Sequence, residues 1–68
     1  MRATYSVRPT PDHLVKIGTA PYHITYIVGN DVDWDYTRRA KHFYETKEKA
    51  YAAGERYLKK MKQNGFEI

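Results

Sequence analysis

The chain has 68 residues, twelve lysines and arginines against eight aspartates and glutamates, a formal charge of +4 and a pI of about 9.4. That length suits a single small domain, 1–68, with room for one sheet and one helix, and the lack of cysteine excludes a disulfide framework or a thiolate metal site. Met1-Arg2-Ala3-Thr4 leads into no apolar run, so neither a signal peptide nor a membrane span is expected, and the protein reads as soluble and cytoplasmic.

In chain order, Thr4 to Arg8 alternates Tyr5 and Val7 with Thr4, Ser6 and Arg8, a short strand stopped by Pro9-Thr10-Pro11. His13 to Ile17 reads as a second short strand. After Gly18-Thr19-Ala20-Pro21, the segment Tyr22 to Val28 gives the clearest strand, with Tyr22, Ile24, Tyr26 and Val28 on one side and His23, Thr25 and Ile27 on the other. Gly29-Asn30-Asp31 is a turn signal. Tyr36 to Glu45 is read as the hairpin partner of that strand, although Tyr36, Ala40, Phe43 and Tyr44 also fit helical spacing with Asp33 as a cap.

Thr46 starts a helix running to about Asn64, with Ala50, Ala53, Tyr57, Leu58 and Met61 on its apolar face and Tyr51 at the margin. Asn64-Gly65 suits a left-handed cap, with Phe66 packing back on Met61. The expected fold is therefore α+β: a small antiparallel sheet of three or possibly four strands, with one C-terminal helix across one face. Ten aromatics, seven of them tyrosine, are many for this length. About two thirds are expected in the core, because little else is available to fill it.

Charge is divided unevenly along the chain. Residues 1–35 carry three basic and four acidic groups, residues 36–68 nine and four, which points to a surface complementary to phosphate in the second half. With Tyr36, Ala40 and Tyr44 inward, the outward row of the expected strand is Thr37, Arg39, Lys41 and Phe43, beside His23 and Thr25 of its neighbour. Such a face suits a DNA major groove, with Arg39 reaching base edges while Arg38, Lys41, Lys49, Arg56 and Lys60 hold phosphates. The competing structural reading is an ordinary solvated face: the basic strand pairs with Asp31, Asp33 and Asp35, and the helix carries Glu45–Lys49 and Glu55–Lys59 pairs four apart.

The run Arg38-Arg39-Ala40-Lys41-His42-Phe43-Tyr44-Glu45-Thr46-Lys47-Glu48-Lys49-Ala50 resembles the end of the arm-type DNA-binding domains found at the N-termini of phage and transposon tyrosine recombinases. Tyr44, Thr46, Lys47 and Ala50 match the aromatic-x-Thr-Lys-x-x-Ala helix start of that family. Phe43 stands where glycine is usual, and Lys49 where an acidic residue is. The resemblance covers roughly residues 22–62 and implies a three-stranded sheet inserted into the major groove with the helix packed behind. A chain of this size also resembles small phage or mobile-element products, which often bind and disable a host protein.

No catalytic signature is present, and binding without turnover is expected. The only serine, Ser6, has no acidic or histidine pattern around it, and the four glycines form no phosphate cradle. Asp31-x-Asp33-x-Asp35 imitates the opening of a calcium loop, but Tyr36 and His42 occupy positions that need glycine and a bidentate glutamate, so the acidic turn is read as a cap or as a partner for the basic strand. His13, His23 and His42 lack metal-ligand spacing, and neither metal nor cofactor is expected. The leading reading is a nucleic-acid partner, DNA over RNA. The alternative is a protein partner bound through Trp34, Tyr36 and Phe43, and exposure of Trp34, expected in the core, would favour it. The sequence does not set the oligomeric state.

Overall fold

The computed structural model describes residues 1–68. Its elements run β1 (Ala3–Pro9), α1 (Asp12–Val15), β2 (Tyr22–Val28), β3 (Asp31–Val32), α2 (Trp34–Arg39), β4 (Phe43–Tyr44) and α3 (Lys47–Gln63). The α+β expectation of an antiparallel sheet under a C-terminal helix holds, with four strands.

Strand β2 is central because it alone has an unbroken alternating run flanked by turn residues on both sides. It pairs with β1 along its full length, in register from Ala3 opposite Val28 to Pro9 opposite Tyr22. On its other side β3 pairs with Ile27 and Val28, and β4 with Tyr22 and His23. The β2–β3 turn is Gly29-Asn30, with Gly29 at φ +63°, a conformation that suits glycine at the first position of a tight hairpin turn.

Between β3 and β4 the edge strand is interrupted, correcting the expectation of a strand from Tyr36 to Glu45. Residues 34–39 form a helix, and only Phe43 and Tyr44 pair as a strand. Asp33 decides this locally: its Oδ1 accepts from Tyr36 N–H at 3.1 Å, capping α2 as the helical spacing of Tyr36 and Ala40 allows. The insertion leaves the ladder closed. Asp33 N–H donates to Tyr26 O at 2.8 Å, and Ile24 N–H donates to His42 O at 2.9 Å.

The His42 side chain completes the repair. Nδ1 lies 3.1 Å from Ile24 O and Nε2 lies 2.6 Å from Thr37 O, joining β2 to α2. Both partners are carbonyl oxygens, so each ring nitrogen faces an acceptor.

The strand expected at His13–Ile17 is also corrected. Asp12–Val15 is a helical turn, with Leu14 and Val15 N–H donating to Pro11 O. A strand here would have no partner, since both sides of β2 are taken. Buried Thr10 clasps this excursion at its base, donating from its hydroxyl to Ala20 O and from its N–H to Pro21 O, each at 2.7 Å.

Helix α3 follows the expectation closely. Thr46 caps its start, accepting from Lys49 N–H, and Ala50, Ala53, Tyr57 and Met61 are buried. At its end Gly65 takes φ +92°, with Gly65 N–H donating to Lys62 O and Phe66 N–H to Met61 O, the paired bonds of a Schellman cap. Beyond it, Glu67 returns alongside the chain start: Ala3 N–H donates to Glu67 O and Glu67 N–H to Met1 O. This covers one end of the β1 edge, and Pro9 closes the other, leaving only Tyr5 and Val7 to offer outward backbone groups between them.

The core is built largely from tyrosine. Tyr26 and Tyr57 are fully buried with Ile24, and Tyr5, Tyr36, Tyr44 and Phe66 pack against them. Six of the ten aromatics therefore serve the core, in line with the two thirds expected. Tyr26, Tyr36 and Tyr57 form a triangle with ring centroids 4.6–4.7 Å apart, tilted or edge-on, the geometry that favours aromatic pairs.

Gly54 is the contact that lets β1 approach α3. A Cβ there would collide with the edge of the Tyr5 ring, whose hydroxyl donates to Glu55 at 2.8 Å and which meets Tyr51 edge-on. Helix propensity alone favours Gly54→Ala by about 1 kcal/mol, yet the collision should make it destabilising by roughly 1–3 kcal/mol. Denaturant unfolding of Gly54→Ala, Tyr5→Ala and the double variant checks this: the double variant should be more stable than the sum of the singles, and strict additivity would remove Tyr5 as the cause.

Candidate functional site

The residues expected to share one basic sheet face occupy two separate surfaces. Alternation along the paired strands puts Thr4, Ser6, Arg8, His23, Thr25, Ile27, Val32 and Phe43 on the sheet face that no helix covers. His23, Thr25 and Phe43 are thus where the sequence places them, with the His23 and Phe43 rings 6.4 Å apart. Arg8 is the only lysine or arginine in that set. Arg38 and Arg39 are carried off the sheet by α2, so Arg39 does not stand in a strand row for base contact.

The cations gather instead along the edge where α2 and β4 meet α3. Arg39 and Lys60 face one shallow groove with Tyr36, Ala40, Asp33 and Asp35. Lys60 Nζ lies 5.5 Å from the centre of the Tyr36 ring, and Lys41 Nζ 5.2 Å from that of Tyr44. Arg56 lies close enough to Tyr26 to favour its phenolate, against burial, Tyr44 and Tyr36, which together push that phenol well above its ordinary range. A cation over a ring at an exposed position contributes about 0.5–1 kcal/mol and keeps the ammonium directed outward.

These charges are almost wholly unneutralised. The one salt bridge is Lys49 to Glu45 at 3.7 Å, between exposed groups. Glu55, expected to pair with Lys59, accepts from Tyr5 instead. Lys49, Arg56 and Lys60 therefore form a stripe along α3 that extends about 16 Å at 1.5 Å per residue, with Arg38, Arg39 and Lys41 exposed across the groove from it.

Of the anchors considered for a protein partner, Tyr36 belongs to the core triangle and Phe43 is half-buried on the open sheet face. Trp34, expected in the core, is 62 % exposed. The capping of α2 by Asp33 explains this correction: it sets Trp34 at the first helical position and turns Tyr36 inward. The acidic turn is built around the same residue, because Asp33 Oδ2 also accepts from the Tyr57 hydroxyl at 2.9 Å. Sequence reasoning had the cap as an option and missed the phenol. A buried tyrosine facing a lone carboxylate across 24 positions leaves no local signal.

Comparison with protein-family models, with curated proteins and with solved structures finds no match. No helix is long and apolar enough to cross a membrane.

Asp33→Ala removes a helix cap and strands the Tyr57 hydroxyl, so it should cost about 2 kcal/mol or more, against about 1 kcal/mol for Tyr57→Phe. Thermal unfolding of the pair and their double variant checks this, with Tyr57→Phe expected to cost little once Asp33 is gone. Burial, followed by the Glu55 bond and charge, pushes the Tyr5 phenol up to about 12 from 10.0. Tyr57 is raised by burial first and Asp33 second. A phenol raised in the fold leaves stability intact below its unfolded value and draws it down as pH climbs through the interval. The melting temperature should therefore hold to about pH 10 and then fall, with tyrosinate absorbance of Tyr5 and Tyr57 appearing only as the fold is lost.

Proposed function

We propose that this chain is a binding module for nucleic acid, with duplex DNA the first partner to test and the α2–β4–α3 edge as the contact. The observation that carries this reading is the set of exposed cations without a salt bridge along this edge, Arg39, Lys41, Arg56 and Lys60, of which Lys41 and Lys60 lie over tyrosine rings. Unpaired cations in a row release counterions when phosphates replace them, which supplies affinity without base reading. The α3 stripe spans about five nucleotide steps of one strand at 3.4 Å each. Base readout by Arg39 is not part of this proposal, because α2 removes it from the sheet.

The experiment is fluorescence anisotropy of labelled duplex DNA, single-stranded DNA and RNA over a salt series. Binding should weaken steeply with salt, and Arg39→Ala/Arg56→Ala/Lys60→Ala should flatten the slope of log affinity against log salt by roughly 3, near 0.9 per phosphate lost. Absence of binding at low salt would overturn the reading.

A second reading, a module that docks on a protein, is favoured by one observation: the only tryptophan stands exposed on a helix whose other aromatic, Tyr36, is packed inward. A large aromatic held out by a fixed cap is a common anchor of protein interfaces.

A further inference from the structure

The surface around Trp34 differs in sign from that of the basic second half of the chain. Trp34 borders a shallow groove whose apolar wall is Val28, Met61 and Phe66, and whose acids are Asp31, Asp33 and Asp35. Asp33 is occupied, with one oxygen on Tyr36 N–H and the other on the Tyr57 hydroxyl. Asp31 and Asp35 are exposed and form no salt bridge, on a molecule of net charge +4. The groove is built on rigid parts: β3 is fixed by the Gly29-Asn30 hairpin, Trp34 by the Asp33 cap, and Phe66 by the Schellman bond to Met61.

We infer that this groove receives a basic, aliphatic segment of a protein partner, a short peptide in which lysine or arginine alternates with leucine-like residues. The inference rests on the second reading above and names its partner. The apolar wall accepts an aliphatic side chain. A neighbouring lysine or arginine then lies over the indole, the ring that attracts cations best, within reach of Asp31 or Asp35. The apolar wall and the exposed carboxylate of Asp31, which does not line the basic groove, set this site apart from the nucleic-acid edge. A second copy of the chain would have to bring a cation beside an aliphatic residue into the groove against the mutual repulsion of two +4 molecules.

Trp34 is the only tryptophan, so its emission reports on the groove without a label. The probes are three peptides of equal length, acetyl-Leu-Lys-Leu-Arg-Leu-amide and its counterparts with glutamate or glutamine in place of the two cations. The basic peptide should shift and quench the emission and bind at least tenfold more tightly than either counterpart, despite the overall positive charge. Asp31→Asn/Asp35→Asn, checked for folding by circular dichroism, should remove that tenfold preference. In the unaltered protein, added salt should weaken the basic peptide and leave the glutamine peptide unaffected, which tests the same point should the double variant not fold. Tighter binding of the glutamine or glutamate peptide would refute the basic partner while leaving Trp34 an interface. No response to any peptide would refute both. A change in emission on concentrating the protein alone would assign the groove to a second copy and overturn the inference.

Discussion

Three layers of this small protein meet at one carboxylate-bearing residue. Asp33 donates its backbone N–H to Tyr26 of the central strand, caps α2 with one oxygen and holds the Tyr57 hydroxyl of α3 with the other. Each bond alone is modest, about 1 kcal/mol net. Their importance is geometric, because the aromatic triangle of Tyr26, Tyr36 and Tyr57 takes one ring from each element that Asp33 ties. A chain that buries only nine of its residues leaves little else to set how α2 sits on the sheet.

That placement determines where charge is displayed. An uninterrupted edge strand would have directed Arg39, Lys41 and Phe43 outward together. The inserted helix divides them, leaving Phe43 with His23 on a nearly uncharged sheet face and moving the arginines to the edge beside α3. Exposure of Trp34 follows from the same turn of helix. Basic edge and acidic, aromatic groove are thus neighbours that share Asp33 and Asp35.

Much of the architecture was legible because its signals are local. Alternation gave β1 and β2, and Thr46, the spacing of Ala50, Ala53, Tyr57 and Met61, and Asn64-Gly65 gave α3 with both of its ends. The segment 36–45 was misread because its apolar spacing fits both periods, and the Asp33 cap acts together with bonds to distant residues, Tyr57 to Asp33 and His42 to Ile24. Gly54 stands inside α3 against the Tyr5 ring, a contact between distant segments that no local pattern announces. The candidate cations do not share one sheet face, since composition records which charges exist and not which element carries them.

The pairing of Glu67 with Met1 and Ala3 gives the backbone the path of a nearly closed ring. Connectivity at that point matters less to such a path than the strand pairing itself, so the ring can be joined there and opened elsewhere. The excursion clasped by Thr10 offers the opening, since its helical turn buries no residue and the clasp lies at its base. A circularly permuted chain cut within it would retain sheet, helices and both charged surfaces.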